Sequence, residues 1–135
     1  MTNQRVEVVA AIVVDSEQRI LMAQRADWQH QGGKWEFPGG KVETEETVNT
    51  ALGRELREEL GITVDETSPL LTVSHDYGEK QVLLDVHRVE AWSGEPFGAE
   101  GQPIAWVDAP SLGDFQVPDA NAEIMTRVAE LLNAS

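Results

Sequence analysis

Glu55, Glu58 and Glu59 place three carboxylates within five residues. Their spacings of three and four would bring them to one side of a helix. Like charges at those spacings weaken an isolated helix, so something has to offset the repulsion. A divalent cation held by oxygen ligands would do so. Arg54 stands four residues before Glu58 and next to Glu55, where it can orient both. The other side of the same segment is apolar, with Val48, Leu52, Leu56 and Leu60 recurring at helical spacing. The expectation is a helix anchored by one face and chemically armed on the other. On composition alone, a solvated Glu- and Arg-rich surface helix is the plain alternative.

The ends of this helix are marked as well. Thr44 is the expected N-cap, Glu45 and Glu46 fall in the first turn, and Gly61 suits the left-handed C-terminal position, predicting a helix over 45–60. The longer spacing is more specific than the helix itself. Gly40, five residues, Glu46, seven residues, and then Arg54-Glu55-Leu56-Arg57-Glu58-Glu59-Leu60-Gly61-Ile62 follow one another. That run resembles, at every fixed position, the Nudix box G-x5-E-x7-R-E-U-x-E-E-x-G-U, in which U is aliphatic.

The 135 residues suit a single domain, 1–135, large enough to bury a real core. The first apolar run, Val6 to Val14, is too short to span a bilayer and carries Glu7. It also lacks the basic start and small-residue cleavage site of a signal peptide, so a cytoplasmic protein without membrane partners is expected. The absence of cysteine removes disulfides, thiolate nucleophiles and thiolate metal sites together. A formal charge of −14 repels a phosphate backbone, which argues against DNA or RNA polymers as partners. A small polyphosphate remains compatible if cations neutralise it locally. Monomer and homodimer both stay open.

The positioning elements can be read in order. Residues 5–14 are almost wholly apolar and β-branched, predicting a strand central to its sheet. A turn at 15–18 should return the chain as a second strand, 19–25, in a hairpin. A polar loop, 28–34, precedes a short extended Trp35-Glu36-Phe37 that Pro38 and a Gly39-Gly40 turn stop. After the helix come a short strand at 62–64, a turn at 65–69, and strands 70–75 and 81–92 around a second hairpin. A loop over 93–103 and a strand at 104–107 follow. Pro118 and Asp119 then open a last helix with Ile124, Val128, Leu131 and Leu132 on its apolar face. Strands before, between and after two helices imply an α+β fold, an α/β/α sandwich around a mixed β-sheet.

The order of elements is similar to the Nudix hydrolase fold, and nearly the whole chain resembles the MutT type of nucleoside triphosphate pyrophosphohydrolase. The residues carrying the likeness outside the box are Ala23-Gln24-Arg25, Trp35 to Lys41, Gly94-Glu95-Pro96, Glu100-Gly101-Gln102-Pro103, and Pro118-Asp119-Ala120-Asn121. The resemblance implies Mg²⁺ as cofactor, with Mn²⁺ able to substitute, and water attack at the β-phosphorus releasing nucleoside monophosphate and pyrophosphate. It implies Glu55, Glu58 and Glu59 as metal ligands, Gly39 or Gly40 as a backbone-carbonyl ligand, and Glu100 as an additional carboxylate. Arg54 would orient the carboxylates, and Glu46 would support the helix start or an outer shell. The general base stays open between Glu55 and Glu100. His30 matches a MutT-type substrate contact.

Other residues suggest substrate contacts by their own chemistry. Arg25 and Lys41 flank the site in sequence and suit phosphate oxygens, although Lys41 equally suits a solvent-facing turn. Phe37 is either a stacking face for a purine or a packed core residue. Asn121 is either a cap or turn residue or a base reader. As a reader, its amide would donate to O6 and accept from the N7–H that distinguishes 8-oxoguanine from guanine. The substrate expectation is therefore 8-oxo-dGTP. The alternatives are CTP or dCTP, then a nucleotide sugar, or a nucleotide-binding module without catalysis.

Overall fold

A computed structural model describes residues 4–29, 32–76, 78–118 and 121–133. Its architecture grows from the first strand, β1 (Gln4–Val13), which is buried from Val9 onward. Val9, Ala11 and Val13 point into one hydrophobic core, whereas Ala10, Ile12 and the following Val14 point into another. A strand can serve two cores only where both sheet faces are covered. β1 accordingly lies between β4 (Gly39–Lys41) and β6 (Lys80–Ser93), and β5 (Thr63–Asp76) completes a sheet of order β4-β1-β6-β5. β1 and β6 run parallel and the other pairs antiparallel, so the sheet is mixed.

Helix α1 (Val48–Leu60) closes the first core with Ala51, Leu52, Leu56 and Leu60, all fully buried. Each such leucine contributes about 1.5–3 kcal/mol relative to an exposed one. Helix α2 (Ala122–Asn133) closes the second core with Ile124, Val128 and Leu132. The layering is that of an α/β/α sandwich of the α+β class.

Several local readings of the sequence give way to tertiary packing. The second strand, β2 (Ile20–Gln24), does not form a hairpin with β1 beyond a single bridge between Val14 and Ile20. It belongs to a separate antiparallel sheet of order β3-β2-β7, with β3 at Trp35–Glu36 and β7 at Ile104–Val107. The turn between β1 and β2 is tight: the Asp15 carboxylate accepts the N–H groups of Glu17 and Arg19, and Gln18 is left-handed. Leaving the first sheet lets β2 bury Leu21 in one core and Ile20 and Met22 in the other.

The turn expected at 65–69 is instead the middle of β5, which runs unbroken from Thr63 to Asp76. Polar residues and Pro69 suggested a stop, but the pairing with β6 carries the strand through three register shifts. Pro69 is tolerated because β5 is an edge strand. Gly39 and Gly40 form β4 rather than a turn, paired with Ala10 and Val9. A Cβ on Gly39 would fall 2.0 Å from the Val9 carbonyl oxygen, so only glycine allows this approach. Helix α1 starts at Val48, three residues later than expected. Its N-cap is Thr47, not Thr44: the Thr47 hydroxyl accepts the N–H of Thr50 at 3.1 Å. Glu45 has φ +68°, which no helix interior allows. A short 3₁₀ helix at Ala109–Asp114, which buries Leu112, carries no periodic signal and was not expected. Among the described residues, no helix is long and apolar enough to cross a membrane.

Candidate active site

The buried leucine face of α1 fixes which glutamates turn toward the sheet. Leu52, Leu56 and Leu60 are at the core, so Glu55 and Glu59 look across β4 and are partly buried, while Glu58 turns outward and is exposed. Gly61 ends the helix in the left-handed conformation at φ +68°, its N–H donating to the Arg57 carbonyl at 3.0 Å.

A cleft of about 420 Å³ opens beside this face. Its acidic end is formed by Glu36, Glu55, Glu59 and Glu100 around Gly39 and Gly40, and the rest includes Arg25, Phe37, Lys41 and Asn121. Residues far apart in sequence are thus brought together: Arg25 from the end of β2, Glu36 from β3, the glycines from β4, the acids from α1, Glu100 from the loop before β7, and Asn121 just before α2. Phe37 is 4% exposed and packed in the second core, and it also lines the cleft. Lys41 is solvent-exposed at the rim. Asn121 is partly buried, and its N–H donates to the Pro118 carbonyl. His30 and Asp119 lie outside the described residues. Glu58 and Arg54 stand beside the cleft rather than in its wall.

Arg54 organises the acids. Its guanidinium donates to both carboxylate oxygens of Glu46 (2.7 and 3.0 Å), to Glu55 (2.9 Å), to Glu58 (3.4 Å) and to the Lys41 carbonyl (3.0 Å). The fork on Glu46 is bidentate, the strongest geometry available to this pair. It holds the Glu46 carboxyl down to about 2, aided by the Glu43 N–H, and raises Arg54 further above its ordinary value. Glu46 thereby braces Arg54.

The cleft carboxyls move the other way. Burial pushes Glu55 up, against the pull of Arg54. Glu36 is also raised by burial, although Arg25 donates to it at 2.7 Å. Glu59 is pushed up to about 9 by burial and then by the negative charges of Glu55, Glu36 and Glu100, in spite of the Gly39 N–H donated to it at 3.0 Å.

The donor chemistry fits a hard divalent cation. Four carboxylates share one cleft, no cysteine, methionine or histidine lines it among the described residues, and the elevated Glu59 marks a place where negative charge is in excess. Gly40 adds a steric mark: a Cβ there would lie 2.5 Å from the Glu55 carboxyl, so the strand leaves that group just enough room. Among the described residues no three acidic or histidine side chains stand as a finished coordination cluster. Here Arg54 holds Glu55 and Glu58, and the Gly39 N–H holds Glu59.

Two residues at this site carry no signal of it in the sequence: Glu36, which lines the cleft, and Gln102, which bonds the backbones of Glu59 and Glu100. Glu36 alternates with the apolar neighbours of a two-residue strand, too short to show a face. Gln102 sits in a glycine-rich loop where no periodicity operates.

A NUDIX domain model matches residues 9–127, the span that holds every element of this cleft except its rim before β1's buried half. The chain belongs to the NUDIX domain family. It is a hydrolytic enzyme of that family, of the kind that splits nucleotide pyrophosphate linkages. It is 34% identical over 128 residues to the 8-oxo-dGTP diphosphatase of Escherichia coli K12, covering 95% of this chain and 99% of that one. It is also 37% identical over 119 residues to the CTP pyrophosphohydrolase of the same organism, covering 88% and 86%. Among solved structures, one from a study of MutT from Aliivibrio salmonicida and Vibrio cholerae superposes with a TM-score of 0.86 at 38% identity, covering 95% of this chain and 99% of that chain.

Proposed function

We propose that this NUDIX enzyme hydrolyses 8-oxo-dGTP to 8-oxo-dGMP and pyrophosphate, water attacking the β-phosphorus, with Mg²⁺ as cofactor and Mn²⁺ as a substitute. The observation that carries the reading is the single cleft that joins Asn121 and Phe37 to the acids of α1 and to Glu100. The likeness to the E. coli 8-oxo-dGTP diphosphatase supports the same substrate.

Glu55, Glu59 and Glu100 would hold the cation from the cleft, Glu58 from its outer edge, and Gly39 or Gly40 by a backbone carbonyl. When bound, the cation neutralises phosphate oxygens and makes the attacking water more acidic. Arg54, aimed by Glu46, keeps Glu55 facing β4. Glu55 and Glu100 both face the cleft as acceptors for the proton of that water. Arg25, beside Glu36, and Lys41, at the rim, would meet phosphate oxygens. Phe37 offers a wall for the purine, and Asn121 donates to its O6 and accepts from N7–H. Ordinary guanine has no N7–H, so the Asn121 acceptor is left unpaired at a cost of about 1–3 kcal/mol. Removing a damaged nucleotide from the precursor pool places the enzyme in the cytoplasm.

The test is a hydrolysis panel with Mg²⁺ over 8-oxo-dGTP, dGTP, CTP, dCTP and a nucleotide sugar, with monophosphate and pyrophosphate both quantified. Asn121→Ala should lower the 8-oxo-dGTP to dGTP preference by roughly one to two decades. A preference for CTP or dCTP, as the likeness to the CTP pyrophosphohydrolase would favour, keeps the acidic end and discards the purine contacts. An unchanged preference in Asn121→Ala refutes the base-reading role.

A further inference from the structure

Glu100 is exposed and lies in an irregular loop between β6 and β7, yet it lines the same cleft as Glu59 on a rigid helix. Something has to hold such a residue in place, and the hydrogen bonds identify it. The Gln102 side chain accepts the backbone N–H of Glu100 with its oxygen at 2.9 Å and donates its nitrogen to the backbone carbonyl of Glu59 at 2.8 Å. One amide therefore ties the backbones of both carboxylate-bearing residues together.

Its surroundings reinforce the tie. The last carbonyls of a helix have no partner within it, and here the loop supplies them. Ala99 N–H donates to the Glu59 carbonyl at 3.0 Å, and Phe97 N–H to that of Leu60 at 3.1 Å. The Phe97 ring lies over Gly61, where a Cβ would come within 2.4 Å of it. Gly98 passes so close to the Gln102 backbone that a Cβ would fall 2.0 Å from its carbonyl oxygen. The loop is thus docked on the C-terminus of α1, and Gln102 is the only side chain in the described contacts that reaches both Glu100 and Glu59.

We propose that Gln102 is a positioning residue that registers Glu100 against Glu59 across the cleft, and so sets the acidic end for hydrolysis. This rests on the hydrolase reading above, but the geometric tie can be tested without it. An amide is required because both a donor and an acceptor are used at once. Glutamate at this position would keep the acceptor and lose the donor, and methionine would keep the length and lose both.

The experiment compares wild type, Gln102→Met, Gln102→Glu, Glu100→Gln and the double variant Gln102→Met/Glu100→Gln. Circular dichroism melts establish folding in each, and steady-state hydrolysis gives kcat and KM. Gln102→Met should lower kcat roughly ten- to a hundredfold with KM changed far less, as displacement of a reacting group does. In the Glu100→Gln background the same substitution should cost little more, because the residue it positions is already disabled. An equal loss in both backgrounds, or full activity in Gln102→Met, overturns the proposal.

Amide hydrogen exchange gives a second readout independent of turnover. The Glu100 amide should exchange at least tenfold faster in Gln102→Met while the amides of α1 do not change. If wild type hydrolyses no nucleotide, the hydrolase reading fails alone, and exchange still decides the tie. Unchanged Glu100 exchange overturns it, and if Gln102→Met does not fold, Gln102→Ala, which also lacks both donor and acceptor, is read in the same way.

Discussion

Replacing Glu59 by glutamine should make the metal-free protein more stable while abolishing its activity. The reasoning starts from the Glu59 carboxyl, raised from 4.5 to about 9 by burial and by Glu55, Glu36 and Glu100. An acid raised in the folded state keeps its proton while the unfolded chain releases one. Stability therefore falls as pH rises through 4.5, and goes on falling until about 9. From pH 4.5 to 7 the ceiling is 2.5 units at about 1.4 kcal/mol each, near 3.5 kcal/mol, and relaxation of a partly buried group brings this to about 1–3 kcal/mol. Glutamine carries no such penalty, and its amide oxygen can still accept the Gly39 N–H. For a chain of this size the gain corresponds to a Tm higher by roughly 3–10 °C. The assay is a calorimetric series from pH 4.5 to 9 in EDTA, with Glu59→Gln beside wild type. The difference should be near zero at pH 4.5 and widen toward pH 9. Adding Mg²⁺ should raise the wild-type Tm and leave the variant almost unmoved. A variant no more stable than wild type at pH 8 would refute the account of a cleft overloaded with negative charge.

Other perturbations follow from the same geometry. Gly40→Ala sets a methyl 2.5 Å from the Glu55 carboxyl, which must swing away. Steady-state assays should show kcat lower by about tenfold or more, with Tm little changed because only a side-chain end has to yield. Gly53→Ala is its control, since a Cβ there meets nothing within 4 Å in mid-helix; denaturant melts should show a gain of about 0.5–1 kcal/mol and unaltered kcat. Glu46→Gln should remove the stability that the Arg54 fork supplies. Because Glu46 is held down to about 2, that stability is complete above pH 4.5 and disappears as pH falls toward 2. Urea melts should find the gap between wild type and Glu46→Gln closing over that window, and a gap independent of pH would contradict the fork.

The parts of the fold legible from sequence were those set by local pattern. The apolar run of β1, the leucine face of α1 and the C-terminal Gly61 all declare themselves within a few residues, and so do the acids, whose spacing is helical. The start of α1 is not legible in the sequence because Thr44 and Thr47 are equally good caps in isolation, and only the left-handed Glu45 excludes the earlier one. Partner-dependent features were not legible. Residues 65–69 look like a turn until β6 is beside them, and β2 looks like half a hairpin until two cores compete for it. In the cleft, Arg25, Phe37 and Asn121 were legible as candidates by chemistry, while Glu36 enters only through its cross-strand neighbour Ala23. Gln102 belongs to a motif in the sequence, yet its bond to Glu59 needs the end of a helix some forty residues earlier.

The two borders of the four-stranded sheet behave differently from its centre. On one side β4 is only three residues long, and on the other β5 shifts register three times and carries Pro69, which has no N–H to offer. A strand from another molecule seeking to extend the sheet would find a few hydrogen bonds and then a mismatch. With a formal charge of −14 opposing approach as well, the molecule is built against runaway strand addition. Crowded or partly heated preparations should therefore lose activity by unfolding before they form cross-β fibres, and thioflavin fluorescence should stay flat while ellipticity falls.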